Sequence, residues 1–237
     1  MNLPTPLLLR RRRLGGGAVD PYAAFTAAYD FAVPEGTTLS GSEILTAPNL
    51  GSGGAGYDLA AFSAGTRPSL VSDQAVCAVG RPLVNMGGDL GPLIRTHTFQ
   101  AIFDGVVNNT SINPVVWAAH PATGNGRLTV QAFPDRLRLE AKNAANTAFR
   151  RIDLSSIHIQ DGVPFVLSVA VEDDLLWVDY GTGGTTTRYA DGLACVLSTQ
   201  DVSYVNVGIG ALIINGAVNG ALQGDLQINS VSFTSLA

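Results

Sequence analysis

Apolar and polar positions alternate along most of this chain. Segment 127–133 (RLTVQAF) puts Leu128, Val130 and Ala132 on one side, and 135–141 (DRLRLEA) sets Leu137 and Leu139 against Arg136, Arg138 and Glu140. Segment 96–103 (THTFQAIF) places Phe99, Ala101 and Phe103 together. A repeat of two marks a strand with one buried face. Segment 164–171 (PFVLSVAV) is an almost unbroken apolar run and reads as a central strand, followed after Glu172-Asp173-Asp174 by 175–180 (LLWVDY). Further strands are predicted over 24–31, 114–120, 204–212 and 226–233. Frequent Gly, Asn and Asp turns separate them. No stretch of a dozen residues carries a helical stripe, and 142–150, the best helical candidate, reads as a loop or short turn. The fold class is therefore all-β and sandwich-like, with no internal repeat.

The 237 residues fit one such domain. Hydrophobic residues make up 46% and charged residues 14%, so the surface is sparsely charged, as expected if another subunit covers part of it and the protein is a homo-oligomer. No apolar run is long enough to span a membrane. The beginning, MNLPTPLLLRRRRLGGG, has its leucines before its arginines, the reverse of a secretory signal, so synthesis in the cytoplasm of a bacterial host is expected.

Charge is unevenly placed. Arg10, Arg11, Arg12 and Arg13 supply 4 of the 14 basic residues, leaving 10 against 19 acidic ones in the remainder, a net −9. Residues 1–20 thus form a basic arm joined through Gly15–Gly17 to an acidic body over 21–237. Leu7, Leu8 and Leu9 beside Arg10–Arg13 favour docking on a protein partner; a solvated tail and nucleic-acid binding are the other readings. Two distant cysteines, Cys77 and Cys195, are neither a disulfide framework nor a zinc set, and read as small buried thiols.

The motifs that carry chemistry fail on context. Gly51, Gly53 and Gly56 spell G-x-G-x-x-G, but Pro48 precedes them and Gly65 and Pro68 follow too soon for a crossover helix. With no helix N-terminus there is no seat for a pyrophosphate. These glycines read as turn residues with positive φ. Gly181–Gly184 lacks the lysine of a phosphate loop and reads as a turn. His97, His120 and His158 have no metal-ligand spacing, and no nucleophile elbow is present. Asp58, Asp89 and Asp104 are candidate calcium donors that no spacing selects.

Four stretches in order, SGGAGYDL (52–59), TRPSLV (66–71), GRPLVNMGGD (80–89) and THTFQAIFDG (96–105), resemble the opening of concanavalin A-like, laminin-G-like jelly-roll domains. Trp177-Val178-Asp179-Tyr180-Gly181, NVGIGA (206–211) and GALQGDLQINSVSF (220–233) resemble the family's central turn and closing strand. The resemblance covers about residues 24–235. It implies an antiparallel two-sheet jelly-roll sandwich with an extended N-terminal arm. The Glu-x-Asp-x-x-Glu strand of the family's glucanases is missing, so a non-enzymatic module is expected. The resemblance also implies a bacteriophage virion protein, a fibre, spike or decoration module held by its arm on capsid, tail or baseplate proteins and touching host surface glycans. The alternative is a free-standing lectin. No cofactor is expected, although the family's lectins often take calcium. Trp117 and Tyr180 are the expected sugar-stacking residues, whereas Trp177, on a central strand, is expected in the core.

Overall fold

A computed structural model describes residues 20–33, 36–143, 149–197, 203–214 and 217–236. The arm, with Leu7–Leu9 and Arg10–Arg13, lies outside the described residues. The chain forms an antiparallel two-layer jelly roll. Layer one runs from the edge strand Thr187–Ala194 through Leu175–Thr182, Phe165–Glu172, Phe99–Val107 and Leu226–Ser235. Ala27–Asp30 and Gln74–Cys77 then pair with different halves of that last strand. Layer two runs from the edge strand Phe149–Leu154 through Arg136–Lys142, Arg127–Phe133, Val115–His120, Asn206–Ile209, Leu83–Met86 and Leu59–Ala61. Glu43–Ala47 pairs with Leu59–Ala61 of layer two and with Ser69–Val71, which leads into layer one, so the hydrogen-bonded network turns the corner between the layers.

Alternation decides what lies between the layers. Phe99, Ala101 and Phe103 are buried there as their spacing predicts, together with Leu128, Val130, Leu137 and Leu139. Trp117 of layer two is 1% exposed and packs edge-on against Phe99 and Phe233 of layer one, with ring centres 5.9 and 6.1 Å away. Phe165 lies 5.4 Å from Phe103 and 5.7 Å from Tyr180, which extends the aromatic row toward the Thr187–Ala194 edge. T-shaped and tilted pairs at these separations suit the ring quadrupoles.

The acidic turn forms as expected: Asp173 and Asp174 take φ of 49° and 60° and join Phe165–Glu172 to Leu175–Thr182 in a two-residue hairpin. The predicted strand over 204–212 is two strands. Gly210, at φ 83°, ends Asn206–Ile209 and redirects the chain into the hairpin Ala211–Ile214 and Ala217–Gln223. Leu212 of that hairpin closes a second, small apolar cluster on the outer side of layer two with Val115 and Ala118. A bulge between Val130 and Gln131 in the pairing with Val115–His120 lets Val115 and Ala118 serve it while Val116 and Trp117 serve the main core. The short helix Leu90–Arg95 buries Leu90, Leu93 and Ile94. Its six residues, with Pro92 among them, are too few to show a stripe.

The glycine cluster binds no turn in the expected way. Gly54 has positive φ, whereas Gly51, Gly53 and Gly56 do not. A Cβ on Gly51 would stand 2.8 Å from the Phe25 carbonyl oxygen, one on Gly53 would enter the Tyr57 ring, and one on Gly56 would overlap the Asp89 carboxylate. Those three positions are glycine because neighbouring groups leave no room for a side chain.

Candidate functional site on the outer face of layer one

Bonded neighbours across layer one sort its side chains into two faces. Leu176, Val178 and Tyr180 point into the main core. Trp177 and Asp179 therefore point the other way, since successive residues of a strand alternate. The register places Trp177 opposite Ala170 and Asp191, and Ala170 opposite Gln100. Beside that row, Asp179 stands opposite Ser168 and Arg188. The result is a floor of small residues edged by one indole and a set of fixed polar groups.

Two irregularities in the edge strand build the polar edge. The pairing of Leu175–Thr182 with Thr187–Ala194 shifts between Leu176 and Trp177 and again between Val178 and Asp179. On a regular strand Arg188 and Asp191, three apart, would face opposite sides. The shift brings them together: Arg188 donates to both Asp179 oxygens, at 2.6 and 3.2 Å, and to Asp191 at 3.0 Å. These hydrogen bonds, chiefly the one to Asp179, raise the Arg188 pKa further, so the guanidinium stays charged throughout. Gly192, at φ 69°, lies beside the indole of Trp177. Along the same layer Gln100 donates to Ser168 at 2.9 Å, and Gln74, Asn229 and Asp104 form a chain of bonds at 2.7 and 2.9 Å. An aromatic face next to mutually fixed amide, carboxylate and guanidinium groups can stack on the apolar side of a sugar ring and exchange hydrogen bonds with its hydroxyls.

This arrangement corrects the assignment of the aromatics. Trp117 fills the core between the layers and presents no face to a ligand. Tyr180 is 7% exposed, lies against Phe165 and Tyr189, and donates its hydroxyl to the His158 carbonyl at 3.1 Å. Trp177 is buried, at 9% exposure, as its central strand led us to expect, but it lies outside the main interlayer cluster, on the outer side of layer one. The signal was present in Trp177-Val178-Asp179: period two puts the indole on the side of a carboxylate. Tyr180→Phe should cost about 1 kcal/mol through the lost hydrogen bond and leave sugar binding unchanged; paired melting and binding curves check both.

Among the described residues no three His, Cys, Asp or Glu side chains converge to hold a metal. Of the candidate calcium donors, Asp58 accepts from the Asn49 backbone and Asp104 from the Asn229 amide. Cys77 and Cys195 are free, buried thiols as read from the sequence, and burial pushes their pKa values up to about 12 and about 11.

A second polar cluster lies on the outer side of layer two. Glu140 receives Arg127 at 2.8 Å on one oxygen and Arg151 at 3.2 Å on the other. Asp153 receives Arg138 at 2.7 Å and lies 3.6 Å from Arg136. Both guanidiniums, Arg136 and Arg138, stack on Phe133, 4.7 and 4.5 Å from its centre. Burial by itself would push the Glu140 carboxyl up; its bonds to Arg127 and Arg151, with the charges of Arg127 and Lys142, outweigh burial and hold it below the ordinary value of 4.5. A depressed carboxylate stabilises the fold above its unfolded pKa, and that stability goes as pH falls through the folded value. Glu140→Gln should thus cost about 1–2 kcal/mol at pH 7, and its deficit against the wild type should shrink below about pH 4. Urea unfolding at several pH values measures the gap.

No protein-family model matches the chain, and no curated protein sequence matches it. Solved structures share its fold. The CBM40 domain of the Ruminococcus gnavus IT-sialidase aligns with a TM-score of 0.50 at 9% identity, over 68% of this chain and 89% of that one. A leech intramolecular trans-sialidase aligns with 0.50 at 11% identity, over 69% of this chain and 26% of the other. The xylan β-1,4-xylosidase of Bacillus halodurans aligns with 0.52 at 7% identity, over 94% of this chain and 41% of the other. At such identities the likeness is one of fold, the jelly-roll sandwich of carbohydrate-binding modules and glycosidase-associated domains.

Proposed function

We propose that the protein is a non-enzymatic glycan-binding module whose sugar site is the outer face of layer one around Trp177. The observation that carries the reading is the placement of that indole: it lies beside the Arg188, Asp179 and Asp191 network and away from the interlayer core. The fold, shared with a carbohydrate-binding module, supports the class of ligand. Screening the full chain on a glycan array, with calcium and then with a chelator, tests it. Binding to a defined set of sugars, unchanged by the chelator, is the expected result. An array with no bound sugar overturns the reading, and release of new reducing ends from a bound polysaccharide overturns its non-enzymatic part.

A bacteriophage virion role, with the module fixed to a capsid, tail or baseplate protein, is supported by the basic, leucine-flanked arm and the sparse surface charge. Deleting residues 1–17 should leave the melting curve of the body intact and abolish co-sedimentation with particles. Co-sedimentation of the shortened chain would count against the arm.

A further inference from the structure

The face that carries Trp177 has a charge sign of its own. Register and alternation run its side chains across layer one in three rows. The first goes from Thr234 through Gln100, Ala170 and Trp177 to Asp191. The second goes from Ala28 to Asp179 and Arg188, and the third holds Asp30 and Asp104. The other side chains of these rows are uncharged. Four carboxylates, Asp30, Asp104, Asp179 and Asp191, thus share the face with one guanidinium, that of Arg188, a net −3 among the described residues.

Arg188 does not make the face receptive to anions. Its Nε and one terminal nitrogen bond the two oxygens of Asp179, and the other terminal nitrogen bonds Asp191. The planar fork that would grip a carboxylate or sulfate is therefore held by the protein's own carboxylates. An acidic sugar would have to break those bonds against a surplus of negative charge. Asp30 and Asp179 are each 8% exposed, so salt screens them less than surface charges. Beside Asp30, Tyr22 donates its hydroxyl at 2.8 Å; burial first, then this bond and the Asp30 charge, push the phenol pKa up. At the other edge Asp191 keeps its side chain 78% exposed and stands opposite Trp177 in the register. Such partners have their Cβ atoms about 5 Å apart. A solvent-reaching carboxylate next to an indole suits an ammonium, which pairs with the first and is attracted to the ring of the second.

We propose that the Trp177 site selects sugars that carry a free ammonium group, as in oligomers of glucosamine, and rejects sugars that carry a carboxylate or sulfate. The inference rests on the glycan reading above and names its ligand class. An N-acetylated sugar keeps the ring but loses the positive charge, so it binds the same place more weakly. An acidic sugar meets like charge and a guanidinium already in use. Asp191 is the residue that sets the choice, because its carboxylate is both exposed and beside the indole.

Titration calorimetry of the full chain with the tetramers of glucosamine, N-acetylglucosamine, galacturonate and lysine tests it. The glucosamine tetramer should bind about fivefold more tightly than its N-acetylated form, a gap that narrows with salt, and galacturonate should bind most weakly of the sugars. Asp191→Asn can still accept from Arg188 through its amide oxygen, so the network survives while the charge goes; it should bring the glucosamine and N-acetylglucosamine tetramers to equal affinity. Asp135→Asn removes the same charge from the turn between Arg127–Phe133 and Arg136–Lys142 of layer two and should leave the gap intact, which separates the local field from the net charge of −5. Trp177→Ala should weaken both tetramers. Equal or tighter binding of the N-acetylated tetramer, still lost in Trp177→Ala, overturns the charge selection and leaves the glycan reading standing. Tighter binding of galacturonate overturns it, as does tighter binding of tetralysine, which would make the face a site for cationic peptides. Binding of none of the three sugars also overturns it, and the glycan array decides the broader reading separately.

Discussion

Replacing Trp117 with alanine should lower the unfolding free energy by about 3–5 kcal/mol, the range for a buried Trp cut to Ala. The indole sits between the layers, 1% exposed, and touches Phe99 and Phe233 from the opposite sheet edge-on. Both partners belong to strands that pair along most of their length, Phe99–Val107 and Leu226–Ser235, so neither can collapse into the space without bending layer one. The lost contacts and the unfilled volume therefore add. Against a total stability of about 5–15 kcal/mol, the variant should melt far below the wild type and expose apolar surface to a hydrophobic dye. Trp117→Phe should recover more than half of the loss. A loss under about 1 kcal/mol for the alanine variant would mean that the layers do not meet through this residue.

Trp177→Ala should produce the opposite pattern. Truncating a central Trp in a binding site costs about 2 kcal/mol or more, so sugar affinity should fall about thirtyfold. The fold should survive, because Trp177 lies outside the interlayer core and its strand is held on both sides by Phe165–Glu172 and Thr187–Ala194. A stability loss of about 1–2 kcal/mol would move the melting point by roughly 2–8 °C in a chain of this size. Titration calorimetry with the best sugar from the array, alongside circular dichroism, separates the two effects. Unchanged affinity in a folded variant would move the sugar site elsewhere on the molecule.

The two tryptophans show how much of the site was legible. Alternation alone identifies Phe99, Ala101 and Phe103 as one face, and Leu137 and Leu139 as another, because polar residues between them mark the solvent side. Around Trp117 that contrast is missing: VVWAAH is buried at every position, since the hairpin with Leu212 covers the outer side as well. Around Trp177 the neighbours are apolar too, and only Asp179 betrays the outer face. The network of Arg188, Asp179 and Asp191 could not be read from spacing, because it depends on irregular pairing at the edge strand. The short strands Thr38–Ser40, Leu59–Ala61 and Ser69–Val71 left no repeat long enough to detect. The arm residues lie outside the described residues, and the sequence remains the basis for their reading.

The sequence by itself determined the class of fold, the hairpin at Asp173-Asp174, the buried thiols and the failure of the glycine fingerprint. All of these follow from local chemistry: period-two alternation, turn residues and the context a motif needs. Tertiary structure alone decided that Trp117 fills the interlayer core while Trp177, also buried, turns to the outer side of layer one, and that Glu140 and Asp153 each serve two arginines. Burial and charge balance at those positions depend on what a neighbouring strand or a folded-back hairpin brings within a few ångströms, and residues far apart in the chain supply it.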